Sequence, residues 1–109
     1  MNSNNGDMPL NIVGYAAKTE DIKAQLLKSV AELFAQTSAG SRKLPRESCF
    51  AEVCRLALML ASRCGADMNE VFREIGLQAK NGLALDDELY KDYRAVLSFV
   101  DVDYRRQRL

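Results

Sequence analysis

Apolar residues recur at steps of three and four along most of the chain, which is the spacing of an amphipathic α-helix rather than of a strand. Four such segments are separated by glycine or proline, and they predict helices over about residues 20–37, 46–64, 67–80 and 86–106. The sequence therefore predicts an all-α fold, a compact bundle of four helices.

The first predicted helix follows Thr19, a residue type that caps helix N-termini, and ends before Gly40. We interpret residues 1–18 as a flexible N-terminal arm and residues 19–109 as a single helical domain. The apolar stripe of the first helix consists of Ile22, Leu26, Val30, Leu33 and Phe34.

The second predicted helix is apolar around nearly its whole circumference. Leu56 and Met59 lie outside its main apolar face and fall among the charged residues Glu52, Arg55 and Arg63. An apolar patch rimmed by both charge signs suits a protein contact, so these five residues are our candidate interaction site. The alternative is that another helix of the same domain covers them. The main face itself consists of Phe50, Val53, Cys54, Ala57, Leu60, Ala61 and Cys64.

The third predicted helix opens with the capping box Asp67-Met68-Asn69-Glu70 and ends near Asn81-Gly82. The fourth begins near Asp86-Asp87, where carboxylates favour the positive end of a helix dipole. We interpret this acidic cluster as helix capping rather than as a metal site, and we expect neither a metal nor a cofactor.

Charge adds little overall, because 15 basic and 15 acidic residues give a net charge of zero. Basic residues are nevertheless concentrated in two places, a loop and the C-terminal tail. One interpretation is that they complement the negative end of a helix dipole. If the two groups lie close together in the fold, they would instead form a surface that suits an acidic partner or a phosphate backbone. The members of this candidate basic surface are Arg42, Lys43 and Arg46 in the loop and Arg105, Arg106 and Arg108 in the tail.

The chain contains no histidine, which excludes Ser-His-Asp and Cys-His nucleophile systems and HExxH zinc sites. Cys49 and Cys54 are about 140° apart on a regular helix and do not form a CxxC pair. With Cys64 they are interpreted as reduced thiols of a cytoplasmic protein. No apolar stretch of 18 residues is present and the polar start MNSNNGDMPL does not look like a secretory signal, so we expect no membrane span.

The stretch Leu58–Ile75 resembles a helix-turn-helix corner, since its small, glycine and apolar residues fall at the spacings of that motif. The resemblance implies a nucleic-acid-binding transcriptional regulator. The outward residues of the second helix are mostly acidic, however, whereas a groove reader needs side chains that attract phosphates. The motif residues are Leu60, Ala61, Cys64, Gly65 and Val71, and the outward acids are Asp67, Glu70 and Glu74.

The segment AEVCRLALMLASRCGADMNEVFREI also resembles the later helices of MazG-type nucleotide pyrophosphohydrolases, all-α enzymes that hold magnesium on helix-borne carboxylates. The family's ExxD pair would fall on Glu52 and Arg55, and arginine does not ligate magnesium. The upstream EExxE motif is absent, because Ala24 follows Glu20-Asp21 where an acid belongs. The resemblance therefore implies a degenerate pyrophosphohydrolase.

Taken together, the residues favour a small non-enzymatic helical module that binds another protein, as a regulator or adaptor, and that forms a homodimer. A nucleic-acid-binding regulator is the second hypothesis and the MazG-like hydrolase is the third.

Overall fold

The computed structural model describes residues 3–38, 40 and 44–101, with side chains from Ile12 onward. These residues form four helices and no strand, so the predicted all-α fold is confirmed. None of the four helices is both long and apolar enough to cross a lipid bilayer. The helices are α1 (Ser3–Thr37), α2 (Glu47–Arg63), α3 (Met68–Leu85) and α4 (Tyr90–Val100).

The chain divides into two compact units, Met1–Gly65 and Ala66–Leu109, and the single domain over residues 19–109 stays a prediction. Each unit is a helical hairpin: α1 packs on α2 in the first, and α3 packs on α4 in the second. Gly65 occupies the left-handed region with φ +80°, as its predicted role at the end of α2 requires.

Helix α1 begins at Ser3, well before the start that the sequence predicted near residue 20. Within the segment interpreted as the arm, the part next to residue 19 contacts α2: the Tyr15 hydroxyl donates to the carbonyl of Arg63 at 2.9 Å. Thr19 does not cap an N-terminus; its hydroxyl donates to the Tyr15 carbonyl one turn back, a bond made inside a helix. The predicted end is correct, since α1 stops at Thr37.

The second hairpin is packed around Leu97, which is fully buried. Helix α3 continues to Leu85, whereas the sequence predicted its end near residue 80, with Asn81-Gly82 as the stop signal. Gly82 is an interior residue because the ring of Tyr93 lies against its backbone, so closely that a Cβ on residue 82 would overlap the ring. The glycine that suggested a helix end instead permits two helices to approach.

Helix α4 spans Tyr90–Val100 and is shorter than the predicted 86–106. It starts later because the Asp86 carboxylate accepts the amides of Glu88 and Leu89, at 3.1 and 3.3 Å, and thereby turns the chain before the helix. It ends earlier because Asp101 is extended, with ψ 104°. Residues 102–109 lie outside the described part of the chain. The predicted cap of α3 is confirmed: Asp67 accepts the amide of Glu70 at 3.1 Å.

Candidate functional site

Three of the five candidate interaction residues of α2, namely Glu52, Leu56 and Arg63, lie toward α1. Leu56 is 1% exposed, so it belongs to the core of the hairpin and not to an exposed patch. Glu52 and Arg63, predicted to rim that patch, both bond to side chains of α1. Met59 remains 40% exposed. The alternative that the sequence left open, coverage by another helix of the same chain, therefore holds for Leu56.

Arg63 joins the C-terminal end of α2 to α1 through three contacts of its guanidinium group, two hydrogen bonds and one cation–π contact. Its Nε donates to the hydroxyl of Thr19 at 2.8 Å, and its terminal nitrogen donates to the carbonyl of Tyr15 at 2.9 Å. The guanidinium carbon also lies 3.9 Å from the centroid of the Tyr15 ring, within the range of a cation–π contact. These contacts assign Arg63 to the folding of the hairpin.

Glu52 has a structural partner as well, because the hydroxyl of the buried Ser29 donates to its carboxylate at 2.7 Å. Arg55 donates to the sulfur of Met59 at 3.2 Å, one turn along the same helix. These are the two positions that correspond to the ExxD pair of the MazG-type enzymes. In the structure, one of them holds α1 and the other contacts its own helix.

The main apolar face of α2, predicted to form the core, is instead largely exposed. Phe50 is about half exposed, and Cys54, Ala57 and Cys64 are exposed too. The exposure is partial, because Val53, Leu60 and Ala61 of this face are half-buried. On the charged edge Leu56 is buried beside the hydrogen bonds that Glu52 and Arg63 make to side chains of α1, while Glu52 itself stays exposed. Helical periodicity counts apolar residues and does not detect such partners.

Of the candidate basic surface, only Arg46 lies in the described part of the chain. It is the exposed residue before α2, with extended backbone, and its carbonyl accepts the amide of Cys49 at 2.9 Å. Arg42 and Lys43 in the loop and Arg105, Arg106 and Arg108 in the tail lie outside the described residues.

The outer face of α1 carries an exposed apolar row that the sequence interpretation missed. Val13, Leu27 and Phe34 are 66, 73 and 68% exposed, respectively. With the exposed residues between them they follow alternating steps of four and three, the spacing of a coiled-coil seam. We call this row the outer seam; its members are Val13, Ala17, Glu20, Ala24, Leu27, Ala31 and Phe34.

The outer seam lies on the opposite side of α1 from α2. At 100° per residue its centre is about 180° around the axis from the inner face that Ile22 and Ser29 mark by their burial. Phe34 was predicted to belong to the core stripe of this helix, and its exposure shows that it does not. The alternating four-and-three spacing was present in the sequence and would have identified the seam.

Charged residues flank the outer seam. Asp21 and Lys28 lie along one edge, and Lys23 lies along the other. Glu20 is the one charged member of the seam itself, and its carboxylate accepts a hydrogen bond from Lys23 at 2.8 Å. This hydrogen bond, with the negative charge of Glu20, raises the pKa of Lys23 above its usual 10.5. The seam thus has a charge pattern as well as an apolar one.

No group of three Cys, Asp or Glu side chains comes together among the described residues in a way that would hold a metal ion. Comparison with family models, curated proteins and solved structures found no match to this chain. The outer seam is therefore the feature on which we base the functional interpretation.

Proposed function

We propose that the protein is a small, non-enzymatic helical interaction module, a regulator or adaptor, and that it works as a homodimer. The observation that carries this proposal is the outer seam of α1. Three large apolar side chains stand exposed at heptad-related positions of one helix, although leaving them in water forgoes roughly 1.5–3 kcal/mol for each side chain that could be buried.

A second copy of the same chain is the occupant we propose for this surface. A row with steps of four and three is matched by another helix with the same row, because side chains of each helix insert between those of the other. The part of the seam from Ala17 to Phe34 spans 18 residues of the helix. At a rise of 1.5 Å per residue, the contact would be about 27 Å long. An interaction role also agrees with a chain that lacks histidine.

A cytoplasmic location belongs to the same proposal. Cys49, Cys54 and Cys64 are all free thiols, and two of them are exposed. Exposed free thiols persist most readily in a reducing compartment.

The two alternative functions have less support. For nucleic-acid binding, the outward side of α3 carries Glu70 and Glu74, and its Arg73 already donates to Glu70 at 3.2 Å. A surface of this charge would be repelled by phosphates. For a MazG-like hydrolase, the Glu52 carboxylate already accepts a hydrogen bond from Ser29, and Arg55 occupies the position of the second metal ligand. This pair is therefore poorly suited to bind magnesium.

The test is the mass of the protein in solution, measured by light scattering or sedimentation for the wild type and for Leu27→Glu. We expect a wild-type mass twice the 12.2 kDa of one chain and a monomer for the variant, because two carboxylates would enter the seam. Leu85→Glu is the matched control, since Leu85 is 86% exposed on another helix, and it should leave the dimer intact. A monomeric wild type at all accessible concentrations would contradict the proposal.

A further inference from the structure

The second inference rests on the proposed homodimer and concerns its direction. We infer that the two α1 helices pair antiparallel along their outer seams, with Ala24 opposite the partner's Leu27, and that Asp21 and Lys28 set this direction. The inference follows from the sizes of the seam residues and from the charges beside them.

The sizes of the seam residues alternate. Alanine occupies every second position of the seam, and a larger residue occupies the positions between. In the antiparallel register, each alanine lies opposite one of these larger residues, so every layer has similar volume and the helices stay evenly spaced. The three layers, each occurring twice by symmetry, are Ala17 with the partner's Phe34, Glu20 with the partner's Ala31, and Ala24 with the partner's Leu27.

The flanking charges are complementary in the same register. Asp21 and Lys28 lie on the same edge of the seam, and antiparallel pairing brings each of them beside the other residue of the partner. In this register Asp21 and the partner's Lys28 are displaced from each other by two residues, or about 3 Å along the helix axis. A lysine side chain is long enough to span that displacement. The dimer would therefore contain two attractive pairs, one at each end.

A parallel arrangement would place like charges together. Lys23 on one helix would then lie next to the partner's Lys28, twice by symmetry, and the two Glu20 residues would meet within the seam. These like charges in contact would disfavour the parallel pairing, so they act as specificity determinants for the antiparallel one. Phe34 would also stack on the partner's Phe34 while alanines faced each other, which leaves layers of very unequal volume.

Glu20 fits the antiparallel arrangement in spite of its charge. It lies opposite an alanine, which leaves room for the carboxylate, and Lys23 of its own chain already bonds to it at 2.8 Å. A carboxylate at such a position is tolerated when it is paired, and it penalises any register in which two of them meet.

The first experiment measures the dimer dissociation constant of the full chain by sedimentation for Asp21→Lys, Lys28→Asp and the double variant. Each single change replaces two attractive pairs with two repulsive ones, so we expect about tenfold weaker dimers for both. The double variant restores opposite charges and should return to within about twofold of the wild type. Thermal unfolding by circular dichroism checks that all three variants keep their helices.

A parallel dimer gives a different result in the same experiment. Lys28→Asp would then face the partner's Lys23 and tighten the dimer, which would overturn the inference. No change in any of the three variants would overturn it as well, because the charges would then not set the direction. Both results leave the homodimer itself intact, whereas a monomeric wild type contradicts the proposed function.

The second experiment tests the register by disulfide cross-linking in a background in which Cys49, Cys54 and Cys64 are replaced by serine. Glu20→Cys and Ala31→Cys are prepared separately and oxidised, alone and mixed. Antiparallel pairing predicts cross-linked dimers only in the mixture, because position 20 meets position 31. Cross-linking of either variant alone, or none in a mixture that is still dimeric by sedimentation, would overturn the register.

Discussion

The two hairpins are held together by different means. In the first, polar side chains bridge α1 and α2 on either side of the buried Leu56, with Arg63 near one end and the Ser29–Glu52 bond nearer the other. In the second, glycines of α3 bring α4 close: Gly76 lies near the Val100 side chain, and Gly82 lies against the Tyr93 ring. The first hairpin depends on hydrogen bonds between polar side chains. The second depends on glycines, whose lack of a side chain lets α4 approach α3 closely.

This difference separates the kinds of substitution that each hairpin tolerates. A hydrogen bond between partly exposed groups contributes about 1 kcal/mol, because water competes for the same donors and acceptors. Close packing tolerates deletions and additions of atoms less well, since the interior neither collapses nor expands freely. We therefore expect larger effects from volume changes than from loss of polar contacts.

The largest effect is expected for Leu97→Ala. Leu97 is fully buried, and removal of its side chain leaves a cavity at the centre of the second hairpin. We expect the free energy of unfolding to fall by about 3 kcal/mol, measured by urea denaturation with circular dichroism. The control is Leu85→Ala on the exposed end of α3, which should change it by less than about 0.5 kcal/mol. Equal effects from the two variants would contradict the assigned core.

An intermediate effect is expected for Gly82→Ala. The new methyl group would overlap the Tyr93 ring, and displacement of that ring should destabilise the protein by about 2 kcal/mol. In a Tyr93→Ala background the clash is gone, and alanine should then be favourable by about 1 kcal/mol through its helix propensity. The change of sign between the two backgrounds is the diagnostic result, measured with the same urea titrations. A cost that persists without the ring would mean that the glycine has another role.

The smallest effect is expected for Arg63→Ala, which removes two hydrogen bonds and the stacking on Tyr15. Because these groups are partly exposed, we expect a loss of about 1–2 kcal/mol in thermal or urea unfolding. Arg55→Ala is the matched control on the same helix, and its exposed guanidinium should contribute less than about 0.5 kcal/mol. If Arg55 proves as important as Arg63, the polar bridge does not hold this hairpin.

Much of the fold was predictable because helix formation depends on local signals. The spacing of apolar residues, the cap at Asp67 and the glycines at positions 40 and 65 each act within a few residues, and each was interpreted correctly. The start of α4 was missed for a local reason, because the Asp86 carboxylate accepts the amides of Glu88 and Leu89. Other errors involve distant residues: Tyr93 lies against Gly82 inside α3, and Tyr15, in the segment interpreted as an arm, bonds to Arg63, which is 48 positions away.

The candidate site was less predictable for the same reason. The sequence singled out the charged edge of α2 as a candidate contact for another protein, and the structure shows that Glu52 and Arg63 of this edge bond to Ser29 and Thr19 on α1. Once that edge is occupied, Phe34 of α1 and Phe50 of α2 are left exposed. The outer seam of α1 could have been identified from its spacing alone; its exposure could not.

By itself the amino-acid sequence determined that this chain is helical and where most of its turns lie. These properties depend on individual residues and their near neighbours. The tertiary structure decided which face of each helix is buried, because an amphipathic helix offers more than one face. The choice between them depends on whether polar groups find partners on another helix. In this chain Leu56 of α2 is buried, whereas the outer seam of α1 is exposed.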